Sequence, residues 1–66
     1  MTMTELIDAR LDAKKTRCAI RHLSNLLTVR IILDKEGYQY QIFDIFGNPV
    51  TYSNSFNRFA MFVSSL

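Results

Sequence analysis

The chain has 66 residues, 48% of them hydrophobic and 21% charged, with a net charge of +2. A chain this short is one domain that buries only about 60% of its unfolded surface, and its apolar content excludes intrinsic disorder. A single cysteine and a single histidine exclude an internal disulfide and a zinc site within one copy, which leaves self-association as the means of supporting a small core.

Charge is distributed unevenly. Residues 1–33 hold six Lys/Arg against three acids, and residues 34–66 hold two against three. The asymmetry favours an anionic partner for the front half. No apolar run approaches the length of a membrane span. The opening stretch, Met1 to Leu6, lacks the basic and apolar regions of a signal peptide, so a lone thiol makes the cytoplasm the expected compartment.

Thr2 and Glu5 stand at capping-box spacing, which predicts a helix from about residue 3. From there to Thr28 the chain has no Gly or Pro, and Ala, Leu, Lys and Arg dominate; one long helix is the expectation. On its wheel Arg10, Lys14, Arg17 and Arg21 fall within about 60° of arc. Ala9, Ala13, Ala19, Ile20, Leu23, Leu26 and Leu27 gather on the opposite side. Between Ala13 and Leu33 there are five Lys/Arg and no carboxylate. That stripe is either the wet face of the helix or the surface that meets a partner. In the second reading Arg10, Lys14, Arg17 and Arg21 are the partner-binding residues.

Met3, Leu6, Ile7 and Leu11 make a second apolar patch, on the side where the cations later stand. The apolar face therefore changes sides between Asp12 and Thr16. Either two helices meet there, or one long helix buries its first turns against something else; the absence of a breaker favours one helix. The patch then becomes the contact of a homodimer, which a two-fold partner offering the same surface would cover.

Periodicity changes at Thr28. Val29, Ile31 and Leu33 alternate with Arg30 and Ile32, a strand pattern, and Asp34-Lys35-Glu36-Gly37 is a tight turn. Tyr38 to Asp44 is the clearest strand, with Tyr38, Tyr40 and Ile42 on one face and Gln39, Gln41 and Phe43 on the other. Phe46-Gly47-Asn48-Pro49 is a second turn, and Val50 to Ser53 a short third strand. Asn54 or Ser55 caps a last helix, on which Phe56, Phe59, Ala60 and Val63 form the apolar stripe. The expected fold is a small α+β domain of αβββα order: a three-stranded antiparallel meander packed against a long N-terminal helix and a short C-terminal one. In element order alone this resembles double-stranded RNA-binding domains. That family opens its last helix with a lysine cluster, whereas Asn54 to Ala60 here holds one cation, Arg58, so no residue roles carry over.

Little in the chain suggests catalysis. Cys18 and His22, at i and i+4 on the expected helix, are near enough to touch, and the neighbouring cations would lower the thiol pKa. Nothing orients the histidine, and no oxyanion donors accompany the pair. A zinc ion held across a dimer by two Cys and two His is the one metal arrangement the residues allow. Tyr38, Tyr40 and Tyr52 could stack unpaired bases, although tyrosines are favoured in strands for packing alone. The expectation is a non-enzymatic, homodimeric docking protein without cofactor or metal. It would be an adaptor, inhibitor or regulatory protein, the form that compact inhibitors of viruses or mobile elements take. Its partner is more readily a protein than a nucleic acid, and phosphate binding through the basic helix face is the alternative.

Overall fold

The computed structural model describes residues 1–66. The chain runs α1 (Met3–Thr16), β1 (Cys18–His22), β2 (Thr28–Asp34), β3 (Gly37–Phe43), β4 (Pro49–Ser53) and α2 (Phe56–Ser64). The strands form one antiparallel sheet in the spatial order β1-β2-β3-β4. The order is thus αββββα, with one strand more than the alternation predicts.

The capping box at the front forms as expected. The Thr2 amide donates to Glu5 Oε1 (3.0 Å), and the Glu5 amide donates to Thr2 Oγ1 (3.2 Å). The Thr2 amide, and after it the Thr2 side chain, favours the ionised carboxyl and holds the Glu5 pKa below its ordinary value. The helix buries Leu6, Ala9 and Ala13, an i, i+3, i+7 stripe in which two alanines let the helix lie close to the sheet.

The single long helix to Thr28 does not form. α1 stops at Thr16, and Arg17 turns into the left-handed region at φ 74, its amide donating to the Ala13 carbonyl at 2.7 Å. The chain then enters strand β1, not a second helix. Helix propensities differ by only tenths of a kcal/mol per residue, and short helices draw most of their stability from packing. A continued helix would turn Arg17 toward the face that Leu6, Ala9 and Ala13 bury. As a strand, the same residues pair with β2 from Cys18↔Ile32 to His22↔Thr28 and bury only Ala19.

Left-handed backbone costs an ordinary side chain about 1–2 kcal/mol, a cost that glycine avoids at the expense of a more disordered unfolded chain. Arg17→Gly should therefore stabilise the domain by about 0.5 kcal/mol, seen as a rise in melting temperature of roughly 2–4 °C.

The remaining elements match the alternation. Asp34 pairs with Gly37 across the turn, Asp34 Oδ1 accepts from the Glu36 amide at 2.8 Å, and Gly37 sits at φ 119, where only glycine is comfortable. Ser55 caps α2 by accepting from the Arg58 amide, and α2 buries Phe59, Ala60 and Val63.

Both helices lie on one face of the sheet. α1 packs against β1 and β2, α2 against β3 and β4, and the two helices touch. The core is Leu6, Ala9 and Ala13 from α1, Ala19, Val29, Ile31, Tyr40 and Ile42 from the sheet, and Phe59, Ala60 and Val63 from α2. Tyr40 is its hub, stacked on Phe59 at 5.2 Å and edge-on to Phe56 at 5.9 Å. No buried side-chain polar atom lacks a partner.

The outer edge of β1 is partly occupied by its own chain. Leu33 donates to the Arg17 carbonyl and Leu23 to the Leu27 carbonyl, so odd-numbered residues face β2 and Cys18, Ile20 and His22 turn their backbone groups outward. The Thr16 hydroxyl reaches the Cys18 carbonyl at 2.9 Å, and Arg21 donates to the Ile20 carbonyl at 3.1 Å.

Candidate docking surface

With the helices on one side, the other face of the sheet has no covering layer. One row crosses all four strands: Ile20 is paired with Arg30, Arg30 with Gln41, and Gln41 with Tyr52. A neighbouring row holds His22, Thr28 and Phe43, and the row on the other side Cys18, Ile32 and Gln39. Ile20 is 51% exposed, Tyr52 57% and Val50, near the β4 end of the second row, 46%.

Arg30 stands at the centre. Its Nε donates to Gln41 Oε1 at 2.8 Å, and its guanidinium carbon lies 4.6 Å from the centre of the Phe43 ring. One hydrogen bond and one stacked ring hold the guanidinium in place, while its two terminal nitrogens have no acceptor within the chain. That is a fork set for a carboxylate. The only acid on this face is Asp34, at its margin, where Oδ2 accepts from Gln39 Nε2 at 2.7 Å.

The cations that share one arc of the helical wheel part company, because the helix ends among them. Arg10 is half-buried with its guanidinium between the Tyr38 and Phe56 rings, 4.7 and 4.8 Å from their centres. Lys14 is exposed on α1, and Arg17 is the residue that ends it. Arg21 is on β1 and bonds to Asp12, with Asp8 at 3.9 Å. No four-residue stripe exists on one helix face.

The proposed dimer patch divides as well. Leu6 is 1% exposed and belongs to the domain's own core, whereas Met3, Ile7 and Leu11 remain about half-exposed on the outer side of α1. Met3 also lines a shallow groove of about 560 Å³ against Ala60 and Met61 of α2. Asp8 and Asp12, the acids beside this patch, serve Arg21 of the same chain.

Cys18 and His22 do not meet. Four residues apart on a strand they are about 13 Å apart, with Ile20 between them on the same face, and His22 Nδ1 lies 3.2 Å from Thr28 Oγ1. No group of three or more His, Cys, Asp or Glu converges. The tyrosines do not form one platform either: Tyr40 is buried, Tyr38 stacks against it at 6.0 Å under the helices, and only Tyr52 faces outward from the open side. No helix is long and apolar enough to cross a membrane.

The chain matches no protein-family model, and no curated protein or solved structure matches it. The residues of the open face were readable as one side of β2 and β3; which side the helices would cover was not.

Proposed function

We propose that the protein is a non-enzymatic docking module that binds another protein through the open face of its sheet. The observation that carries this reading is Arg30, the one formal charge at the centre of a face that also displays Ile20, Ile32, Phe43 and Tyr52, positioned by Gln41 and Phe43 with its terminal nitrogens unused. Arg, Tyr, Phe and Ile around a centre free of Lys and acids is the composition of the energetic centre of protein interfaces. The complementary partner is a protein surface with one carboxylate ringed by apolar side chains. An adaptor, inhibitor or regulatory role needs no more than such a contact.

A nucleic-acid reading fits less well, because phosphate binding calls on several cations together. Of the four cations of that reading, Arg10 is stacked on aromatic rings and Arg21 paired with acids, which leaves Lys14 and Arg17, with Lys15, at the end of α1 and Arg30 alone on the open face.

The test is affinity capture from a lysate of the source cells, with and without nuclease, by the native protein and by the variants Arg30→Lys and Tyr52→Ala. A discrete protein should be retained after nuclease and in raised salt. Each variant should reduce its retention about tenfold or more, the effect of truncating a central contact residue, without altering the fold. Lysine keeps the charge but loses the fork, so unchanged capture by both variants would rule out this face. Capture abolished by nuclease would favour the nucleic-acid reading.

A further inference from the structure

The two long edges of the sheet are not alike. At β1 the outward carbonyls of Cys18 and Ile20 are taken by Thr16 and Arg21. At β4 the same alternation leaves an open rim. Arg30 and Ile32 turn their backbone groups toward β3, Tyr40 and Ile42 turn theirs toward β4, and the partners Ser53 and Thr51 close that ladder. Tyr52, between those two, points its amide and carbonyl away from the sheet. No side chain or turn of the chain reaches either group, and the Ser53 hydroxyl beside them bonds to Ser55 instead. A free donor and acceptor on an edge strand are a template for one more strand.

On the helix side of that rim lies a groove of about 220 Å³ between β4 and α2, lined by Thr51, Tyr52, Ser53, Arg58, Phe59 and Phe62. Phe59 is buried in the core, whereas Phe62 is 36% exposed. Arg58 is the one charged residue of the lining. The ion pairs of the chain are those of Arg21 with Asp8 and Asp12, which leaves Arg58 without an acidic partner. It stands in the first turn of α2, which holds no acid either, and that end of a helix favours anions over cations. A carboxylate in the groove answers both the guanidinium and the helix end. The spacing suits a strand as well. Arg58 and Phe62 are separated by about 6 Å along the helix axis, and side chains two residues apart on a strand by about 6.6 Å.

We propose that the β4 edge takes an extended segment of a partner protein as a fifth strand, with a carboxylate of that segment at Arg58 and an apolar side chain two residues away over Phe62. This edge is distinct from the Arg30 surface and serves whether or not that surface binds. A second copy of the chain fits it poorly, since β4, Pro49–Ser53, brings no acid to Arg58. Pro49 offers no amide, and the register shifts between Ile42 and Phe43. The added ladder is therefore short, and the side-chain contacts carry the selectivity.

The probe is a set of short labelled peptides, threonine throughout except for Glu, Gln or Lys at one position and Leu two residues before or after it. Each is titrated to about 1 mM against the full chain. Glu peptides should bind about tenfold more tightly than their Gln or Lys counterparts, and at saturation they should slow hydrogen exchange of the Tyr52 amide. Arg58→Glu, an exposed change that suits a helix start, should leave the melting temperature within about 2 °C and move the preference to Lys peptides. Arg30→Lys should leave peptide binding unchanged. Absence of binding by every peptide of the set would overturn the proposal, as would a charge preference indifferent to Arg58→Glu. A Tyr52 amide that exchanges equally fast with peptide bound would remove the strand pairing. Binding lost on Arg30→Lys would move the segment to the open face. A dimer in sedimentation that excludes the Glu peptides would give the edge to a second copy; each of these three results also overturns it.

Discussion

Tyr40→Ala should remove much or all of the stability of the domain. Tyr40 is 1% exposed, joins Phe56 and Phe59 of α2 to the sheet, and stacks on Tyr38 of its own strand. Truncating a buried aromatic to alanine costs about 3–5 kcal/mol. A chain of this length has a total stability of roughly 3–10 kcal/mol, so one substitution removes much or all of it. Loss of the far-ultraviolet circular dichroism signal of the folded chain would report the outcome; a cooperative melt close to that of the native protein would contradict it. Tyr40→Phe is the companion variant, since it keeps the ring and removes only the hydroxyl. Burial holds the Tyr40 pKa above its ordinary 10.0, against the opposing pull of the Arg10 charge, with Tyr38 adding to the rise. Below pH about 10 the hydroxyl is protonated in both states and contributes no pH dependence. Above it the unfolded chain releases the proton first, so stability declines as pH rises toward the folded pKa. Tyr40→Phe should lessen that alkaline decline, measured as a smaller fall in the urea midpoint between about pH 9.5 and 11.

Leu6→Ala and Ile7→Ala should differ sharply although the residues are neighbours on one helix. Leu6 is fully enclosed beneath the helix, and its truncation leaves a cavity costing about 2–5 kcal/mol. Ile7, at 45% exposure, should change stability by no more than about 0.5 kcal/mol. Urea unfolding of the two variants gives the comparison directly. Equal losses would mean that Ile7 is covered to the same degree as Leu6, by a second chain or by some other contact.

That pair also marks where the sequence was misleading. Residues Val29 to Val63 were legible because their periodicity is undiluted: alternation through Ile31 and Tyr40, turn chemistry at Gly37 and Gly47, a cap at Ser55 and an unbroken stripe to Val63. The front half lacked such punctuation. α1 ends without glycine, in Arg17, and β1 buries only Ala19, so neither a breaker nor an alternating apolar pattern announced the change. Two signals were present. The apolar face shifted sides near Asp12, and Ser24-Asn25 stood between two leucines as a turn would. The basic stripe was a product of extending one helical wheel across residues that belong to a helix, its cap and a strand. The Cys18–His22 pair vanished for the same reason, since four residues span one helical turn but more than twice that distance in a strand. Arg30 lay in a strand correctly placed, yet its position on an uncovered face depends on the absence of a second layer. A single chain's alternation does not reveal which face of its sheet the helices choose.

The occupied rim of β1 has a consequence for the protein at high concentration. A strand from another molecule would ladder there only through a regular alternation of free donors and acceptors. The Cys18 and Ile20 carbonyls are already taken by Thr16 and Arg21, so an incoming strand would have to displace both side chains to gain its first bonds. Arg21 would then lose its position beside Asp12. Growth of one sheet into the next, the first step toward fibrils, is thereby discouraged at this rim by a threonine and an arginine whose side chains turn back onto their own backbone.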